Sequence, residues 1–237
     1  MKLLALDTAT ELCSTALWLD GRWHELDELR PRGHGELILP MIERLLAEAG
    51  MPLQQLDAIA FGRGPGSFTG VRLAVSVAQG LGFSADLPLI PISDLRAIAT
   101  QAMGLPQAPT RVLVCQDARM GEVYWGCFER SDLLASPLGH ESVSAPTEVL
   151  LPPTWSGAPV SGAGSGFLAY PTSLVTCTRA LSDVFDRLPP RAREIAALAA
   201  RDGLAHAVPP EQAQPVYLRD EVARVAGANP GAGRSRN

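Results

Sequence analysis

Two aspartates and one glycine-rich loop are the groups in this chain best placed to do chemistry. Asp7 closes the apolar run Leu3-Leu4-Ala5-Leu6, and Asp117 closes Val112-Leu113-Val114-Cys115-Gln116, so each reads as a carboxylate delivered into a turn by a buried strand. A carboxylate so placed can accept N–H bonds from its own turn. The loop is Gly64-Pro65-Gly66-Ser67-Phe68-Thr69-Gly70, between a strand-like Asp57–Phe61 and a helix expected over about Gly70–Phe83. Its glycines allow backbone conformations closed to other residues, Pro65 fixes one φ, and Ser67 or Thr69 is expected to cap the helix. Such a helix start can hold an anion on its N–H groups or serve as a firm platform for another protein. Arg72 and Arg119 suit a phosphate, a partner's carboxylate or an ion pair within the chain.

Other chemistries lack their residues. Of the 20 basic side chains only Lys2 is a lysine, which argues against a Walker lysine, a Schiff base and a Ser–Lys dyad. His24, His34, His140 and His206 are scattered, with no ligand spacing to one another, to a cysteine or to a carboxylate cluster. Cys13, Cys115, Cys127 and Cys177 form no Cys-x-x-Cys pair and are expected as buried, reduced thiols, which fits a cytoplasmic protein. A net charge of −5 with dispersed basic residues argues against a broad nucleic-acid face, so any nucleic-acid contact would be local or indirect. The sequence shows neither a signal peptide nor an apolar run of membrane-spanning length.

The elements that position these groups repeat. Leu3–Asp7, Ser14–Leu19 and Trp23–Leu29 read as three strands, the last two joined by a hairpin at Asp20-Gly21. The same order returns at Val112–Asp117, Val123–Glu129 and after Leu134, which implies a duplicated βββαβα unit. In the first half a helix over Glu36–Ala49 carries an apolar stripe that includes Leu37, Ile38, Met41, Ile42 and Leu45, with a bend expected at Pro40. The helix after the glycine loop has Arg72, Ser76 and Gln79 as its strongly polar members, so its apolar surface nearly encircles it and must be covered on more than one side. A strand at Leu89–Ile92 and a helix near Asp94–Met103 complete this half. Proline and glycine break the second half into short pieces from 150 to 190, with one clear helix at Ala192–Asp202. A complete lobe is expected over 1–105, a reduced lobe over 106–225 and a flexible tail over 226–237.

With these residues the chain resembles the TsaB (YeaZ) family of tRNA threonylcarbamoyladenosine biosynthesis subunits. The resemblance rests on Leu4-Ala5-Leu6-Asp7-Thr8-Ala9-Thr10, Leu39-Pro40-Met41-Ile42, Gly64 to Arg72, Asp117-Ala118-Arg119 with Glu122-Val123-Tyr124, and Pro215-Val216-Tyr217-Leu218-Arg219. It implies an α/β, actin-like ATPase superfamily fold of two ribonuclease-H-like lobes, the second reduced. It further implies a non-catalytic subunit, without cofactor or metal, that binds and activates TsaD for transfer of a threonylcarbamoyl group to N6 of adenosine 37 in tRNAs reading codons that begin with A. TsaE would be a third component, a homodimer would form through the same surface without TsaD, and tRNA would be reached through the complex. The partner-binding residues expected are Leu37, Ile38, Met41, Ile42 and Leu45 on the first helix and Val71, Ala74, Val75 and Ala78 on the second, beside the signature loop and Arg72. Asp7 and Asp117 would be vestiges of a phosphate loop. The related TsaD family holds a metal through a His-x-x-x-His motif, and the comparable stretch Ser93-Asp94-Leu95-Arg96-Ala97-Ile98-Ala99 has no histidine. Two alternatives stand: a small-molecule kinase or ATPase using Asp7 and Asp117 with magnesium, and a homodimeric scaffold or protease-like regulator.

Overall fold

The computed structural model describes residues 1–106 and 109–219; the expected tail at 226–237 lies outside them. The first half runs β1 (Lys2–Asp7), β2 (Leu12–Leu19), β3 (Arg22–Leu29), α1 (His34–Ala49), β4 (Ala58–Gly62), α2 (Phe68–Ala85), β5 (Leu89–Ile92) and α3 (Asp94–Met103). The second runs β6 (Arg111–Arg119), β7 (Glu122–Ser131), β8 (Leu134–Ser144), β9 (Ser161–Ala163), α4 (Gly166–Ala169), α5 (Val175–Thr178), β10 (Asp183–Phe185) and α6 (Ala192–Asp202). Asp20 and Gly21 both take positive φ, the backbone that a two-residue hairpin between twisted strands needs. Helix α1 opens after Gly33 and closes at Gly50, both left-handed.

The two sheets have one topology. The first is ordered β3-β2-β1-β4-β5 and the second β8-β7-β6-β9-β10. In each, the first three strands pair antiparallel, the fourth joins the central strand in parallel and the fifth joins the fourth in parallel. A parallel neighbour requires a crossover, which is why helices follow β4 in the first half and short helical pieces follow β9 in the second. This is the duplicated ribonuclease-H-like arrangement of the actin-like ATPase fold. The segment 150–190, broken by proline and glycine, still supplies β9 and β10 at three residues each. The reduction falls on the helices: α4 and α5 have four residues each, and single 3₁₀ turns occupy Pro146–Glu148 and Pro153–Trp155.

Strand alternation sends Leu4 and Leu6 to one face of the first sheet and Leu3 and Ala5 to the other. The Leu4 face packs under α1 and α2 through Ile38, Ile42, Leu45, Ala74 and Ala78. The opposite face, rich in alanine at positions 5, 16, 58 and 60, lets α6 come close through Ile195 and Leu198. Helix α3 packs instead on the second sheet, where Leu95, Ile98 and Ala102 meet Val112, Val114 and Phe128. Each half therefore lends its last helix to the other half's sheet. Arg96 of α3 clamps Asp202 of α6 with two hydrogen bonds, 2.5 and 2.9 Å, and ties the exchanged helices together.

Candidate functional site

The signature loop folds back onto the Asp7 turn. Ser67 N–H donates to the Ala9 carbonyl at 2.8 Å, and Thr8 Oγ1 donates to the Gly70 carbonyl at 2.6 Å. A methyl group at Gly66 would lie 2.8 Å from Ala9 Cβ, and one at Gly70 would run into the Thr8 carbonyl oxygen. Glycine is required at these two positions by close backbone approach. Gly64 is different: its φ is +98°, and its carbonyl accepts the Asp94 N–H at 3.1 Å. Ser67 occupies the cap position of α2, but its hydroxyl makes no capping bond, contrary to expectation. The loop thus spends its groups on β1 and α3, as a bolt between strand and helix.

The second half repeats this bolt in smaller form. Gly164 and Gly166 press against the Cys115 carbonyl oxygen, where a methyl group would lie 2.5 and 2.8 Å away. Between them Ser165 Oγ accepts the Asp117 N–H at 3.2 Å. The sequence shows this equivalence only faintly, because the matching element after the loop is the four-residue α4 rather than a long helix.

The two aspartates, alike in sequence, have different surroundings. Asp117 faces a cleft of about 900 Å³ between the two halves, together with Thr10, Phe68, Tyr124, Leu168 and Tyr217. Its carboxylate accepts from Tyr170 Oη at 2.9 Å and from the Arg119 N–H at 2.8 Å, and pairs with the exposed Arg119 guanidinium at 3.1 Å. Asp7 is fully buried and is not part of the cleft wall. Its Oδ1 accepts from Ala9 N–H at 3.1 Å, the turn role expected of it, and burial pushes its carboxyl up to about 7. Against it lies Asp94, a residue the sequence reading missed. An acidic residue at the first position of a helix signals only helix-start electrostatics, and its proximity to Asp7 is a tertiary fact.

Arg72 is engaged within the chain. Its Nε donates to Tyr217 Oη at 2.6 Å, and its guanidinium sits 3.6 Å from the centre of the Phe68 ring. The segment carrying Tyr217 spans the cleft mouth: Val216 N–H donates to the Arg63 carbonyl at 2.8 Å, while Arg219 reaches Glu122 and the Ala118 carbonyl of the β6–β7 hairpin. Sequence blocks near 68–72, 117–122 and 215–219 therefore meet in space.

The helices α1 and α2 lie side by side on the first sheet, but the expected contact residues point inward. Ile38, Met41, Ile42, Leu45, Val71, Ala74, Val75 and Ala78 are all buried in the chain's own fold, and Leu37 is half-buried. That is a correction with a simple cause: the strongest apolar stripe on a surface helix is the one that packs on its own sheet. The outward faces are made by Leu39, Glu43 and Ala47 on α1 and by Ser76, Gly80 and Phe83 on α2, with Leu73 and Val77 half-buried at the margin.

His34 Nε2 and His206 Nδ1 lie 2.9 and 3.0 Å from the carbonyls of Arg30 and Asp202, four residues earlier in each case. The four cysteines are free and buried, and burial raises every thiol, Cys13 and Cys127 to about 12. Among the described residues no group of three or more His, Cys, Asp or Glu side chains could hold a metal ion.

Known proteins match this architecture along most of its length. The family model for TsaD, tRNA N6-adenosine threonylcarbamoyltransferase, matches residues 28–227. The Escherichia coli (strain K12) protein named tRNA threonylcarbamoyladenosine biosynthesis protein TsaB is 41% identical over 234 residues, covering 94% of this chain and 96% of the relative. Its namesake from Haemophilus influenzae is 41% identical over 232 residues, covering 94% and 95%. The solved structure of YeaZ from Pseudomonas aeruginosa superposes with a TM-score of 0.81 at 42% identity, covering 92% of this chain and 99% of that one. On the near full-length identity to these relatives, the chain belongs to the TsaB (YeaZ) family of tRNA threonylcarbamoyladenosine biosynthesis proteins, within the wider group that the TsaD model gathers.

Proposed function

We propose that this chain is the non-catalytic subunit that binds and activates TsaD, so that TsaD transfers a threonylcarbamoyl group to N6 of adenosine 37 in tRNAs reading codons that begin with A. The single observation that carries the reading is the 41% identity to TsaB proteins over 94% of the chain. The geometry is in keeping with it. Asp7, which a phosphate-transferring relative would need at the cleft, is sealed beneath the signature loop, and Asp117 is held by Tyr170 and Arg119. TsaE acts as a third component in this reading, a second copy of the chain takes TsaD's place when TsaD is absent, and tRNA is reached through the complex.

The docking surface proposed is the outward side of α1 and α2, not the buried stripe. Leu39, Ala47, Ser76, Gly80 and Phe83 present small and apolar groups there, and two such helices can make half of a four-helix interface. Ser76→Arg and Gly80→Arg introduce a bulky charge at exposed positions and leave the core intact. Each is expected to fold and to lose co-purification with TsaD, whereas Glu11→Ala, across the cleft mouth, keeps it. Retention of TsaD by both arginine variants would remove this surface from consideration.

A further inference from the structure

Two carboxyl groups meet where the halves of the chain join. Asp7 ends β1, Asp94 begins α3, and the two are 0% and 1% exposed. Both lie over the Cα of Gly62, the last residue of β4: a methyl group there would strike Oδ1 of each, with Asp7 Cγ only 3.1 Å away. Asp7 Oδ2 and both Asp94 oxygens are buried without a hydrogen-bond partner among the described residues. Three orphaned acceptors in one dry contact need a donor, and two adjacent buried carboxylates cannot both carry charge.

We propose that Asp7 and Asp94 share one proton at neutral pH, and that this proton fastens the end of β1 to the start of α3, so that its loss loosens the junction between the two halves.

Among the described residues no charged side chain neutralises the pair. Arg63, in the loop after β4, is the cation facing the pair, and it is already 3.5 Å from Glu141 Oε2 of β8. Glu141 also accepts the Ser93 hydroxyl, which places a third carboxylate beside the pair rather than a counter-charge. The Cys13 thiol on the neighbouring β2 is raised first by burial and next by the Asp7 charge. Burial first and Asp7 second push the Asp94 carboxyl well above the ordinary range; the Gly64 N–H and Arg63 oppose this and are outweighed. The N-terminus of α3 also favours the ionised form, by an amount that does not offset full burial.

The direction of the linkage follows. In the unfolded chain both carboxyls titrate near 3.8 and burial raises both in the folded chain, so above about pH 4 the folded state holds at least one proton more than the unfolded state. The stabilisation from the shared proton is complete below about pH 4 and is lost as pH rises through the raised folded-state value of Asp94, which the Asp7 charge pushes up further. Across that window its contribution to the folding constant falls by about tenfold per pH unit.

Chemical unfolding of the full chain across pH 4 to 8 tests this, with wild type beside Asp94→Asn and Asp7→Asn. The ratio of the variant's folding constant to that of wild type is expected to climb by up to about tenfold per pH unit, because an amide supplies the missing donor without a proton from solvent. Parallel curves for wild type and Asp94→Asn overturn the proposal. Infrared spectroscopy decides independently of variant folding. The folded wild type should show a protonated-carboxyl C=O band at pH 7, and the absence of that band equally refutes the shared proton.

Discussion

The glycines of α2 allow a sharp test of the signature loop, because one substitution at two sites in the same helix should have opposite signs. At Gly70 an alanine methyl would run into the Thr8 carbonyl oxygen and lie 3.0 Å from Thr8 C and 3.2 Å from Ala9 Cα, all backbone atoms. Relief requires the loop to part from the Asp7 turn, an overpacking effect of about 1–3 kcal/mol. The same movement breaks the buried Thr8 Oγ1 to Gly70 carbonyl bond, and a stranded buried polar group adds about 1–3 kcal/mol. Better helix propensity offsets less than about 1 kcal/mol of this. Gly70→Ala should therefore destabilise by about 3 kcal/mol. At Gly80 nothing lies within 4 Å of the added methyl, the site is exposed and the position is mid-helix, so alanine should stabilise by about 0.5–1 kcal/mol. The two variants then differ by roughly 3.5–4 kcal/mol, or several hundredfold in the folding constant. Denaturant unfolding, in solution dilute enough to exclude self-association, measures both. Equal shifts of the same sign would mean that the loop does not press on the Asp7 turn.

Two further expectations concern the helix exchange and the runner-up activity. Asp202→Ala strands the Arg96 guanidinium, whose partner carboxylate is largely buried, and should destabilise by about 3–5 kcal/mol in thermal or denaturant unfolding; a change under about 1 kcal/mol would show that this pair does not tie α3 to α6. Calorimetry with ATP and magnesium should register no micromolar binding by the chain alone, since Asp7 is walled off from the cleft, and a clear micromolar isotherm would restore the kinase reading.

How much of this was legible depends on whether an element carries its own pattern. Strands β1, β4 and β5 are short apolar runs, the last two beside glycine or proline, and the Asp20-Gly21 hairpin announces itself, so the first half could be read directly. Strands β9 and β10 carry almost no pattern. Three residues amid prolines and glycines become strands because β6 offers β9 a ladder to join and β9 in turn offers one to β10, and only folding brings them alongside. The helix stripes were visible, but the signal that finds a helix is the face that packs on its sheet, so the eight buried residues were misplaced onto the surface. The glycine loop is visible in the sequence as a run of Gly, Pro and Ser. Its partner, the Thr8–Ala9 turn, lies some sixty residues away and could be found only in space. The same is true of Asp94, whose local sequence says helix start and whose surroundings say buried pair.

The account turns on whether this chain makes TsaD competent without carrying the chemistry itself. The direct measurement is mass-spectrometric nucleoside analysis of unmodified tRNA incubated with threonylcarbamoyl adenylate, ATP, TsaD and TsaE, with and without this chain, and with this chain alone. Threonylcarbamoyladenosine should appear only when the chain is combined with TsaD and TsaE. Product from the chain alone, or undiminished product when it is left out, would contradict the account.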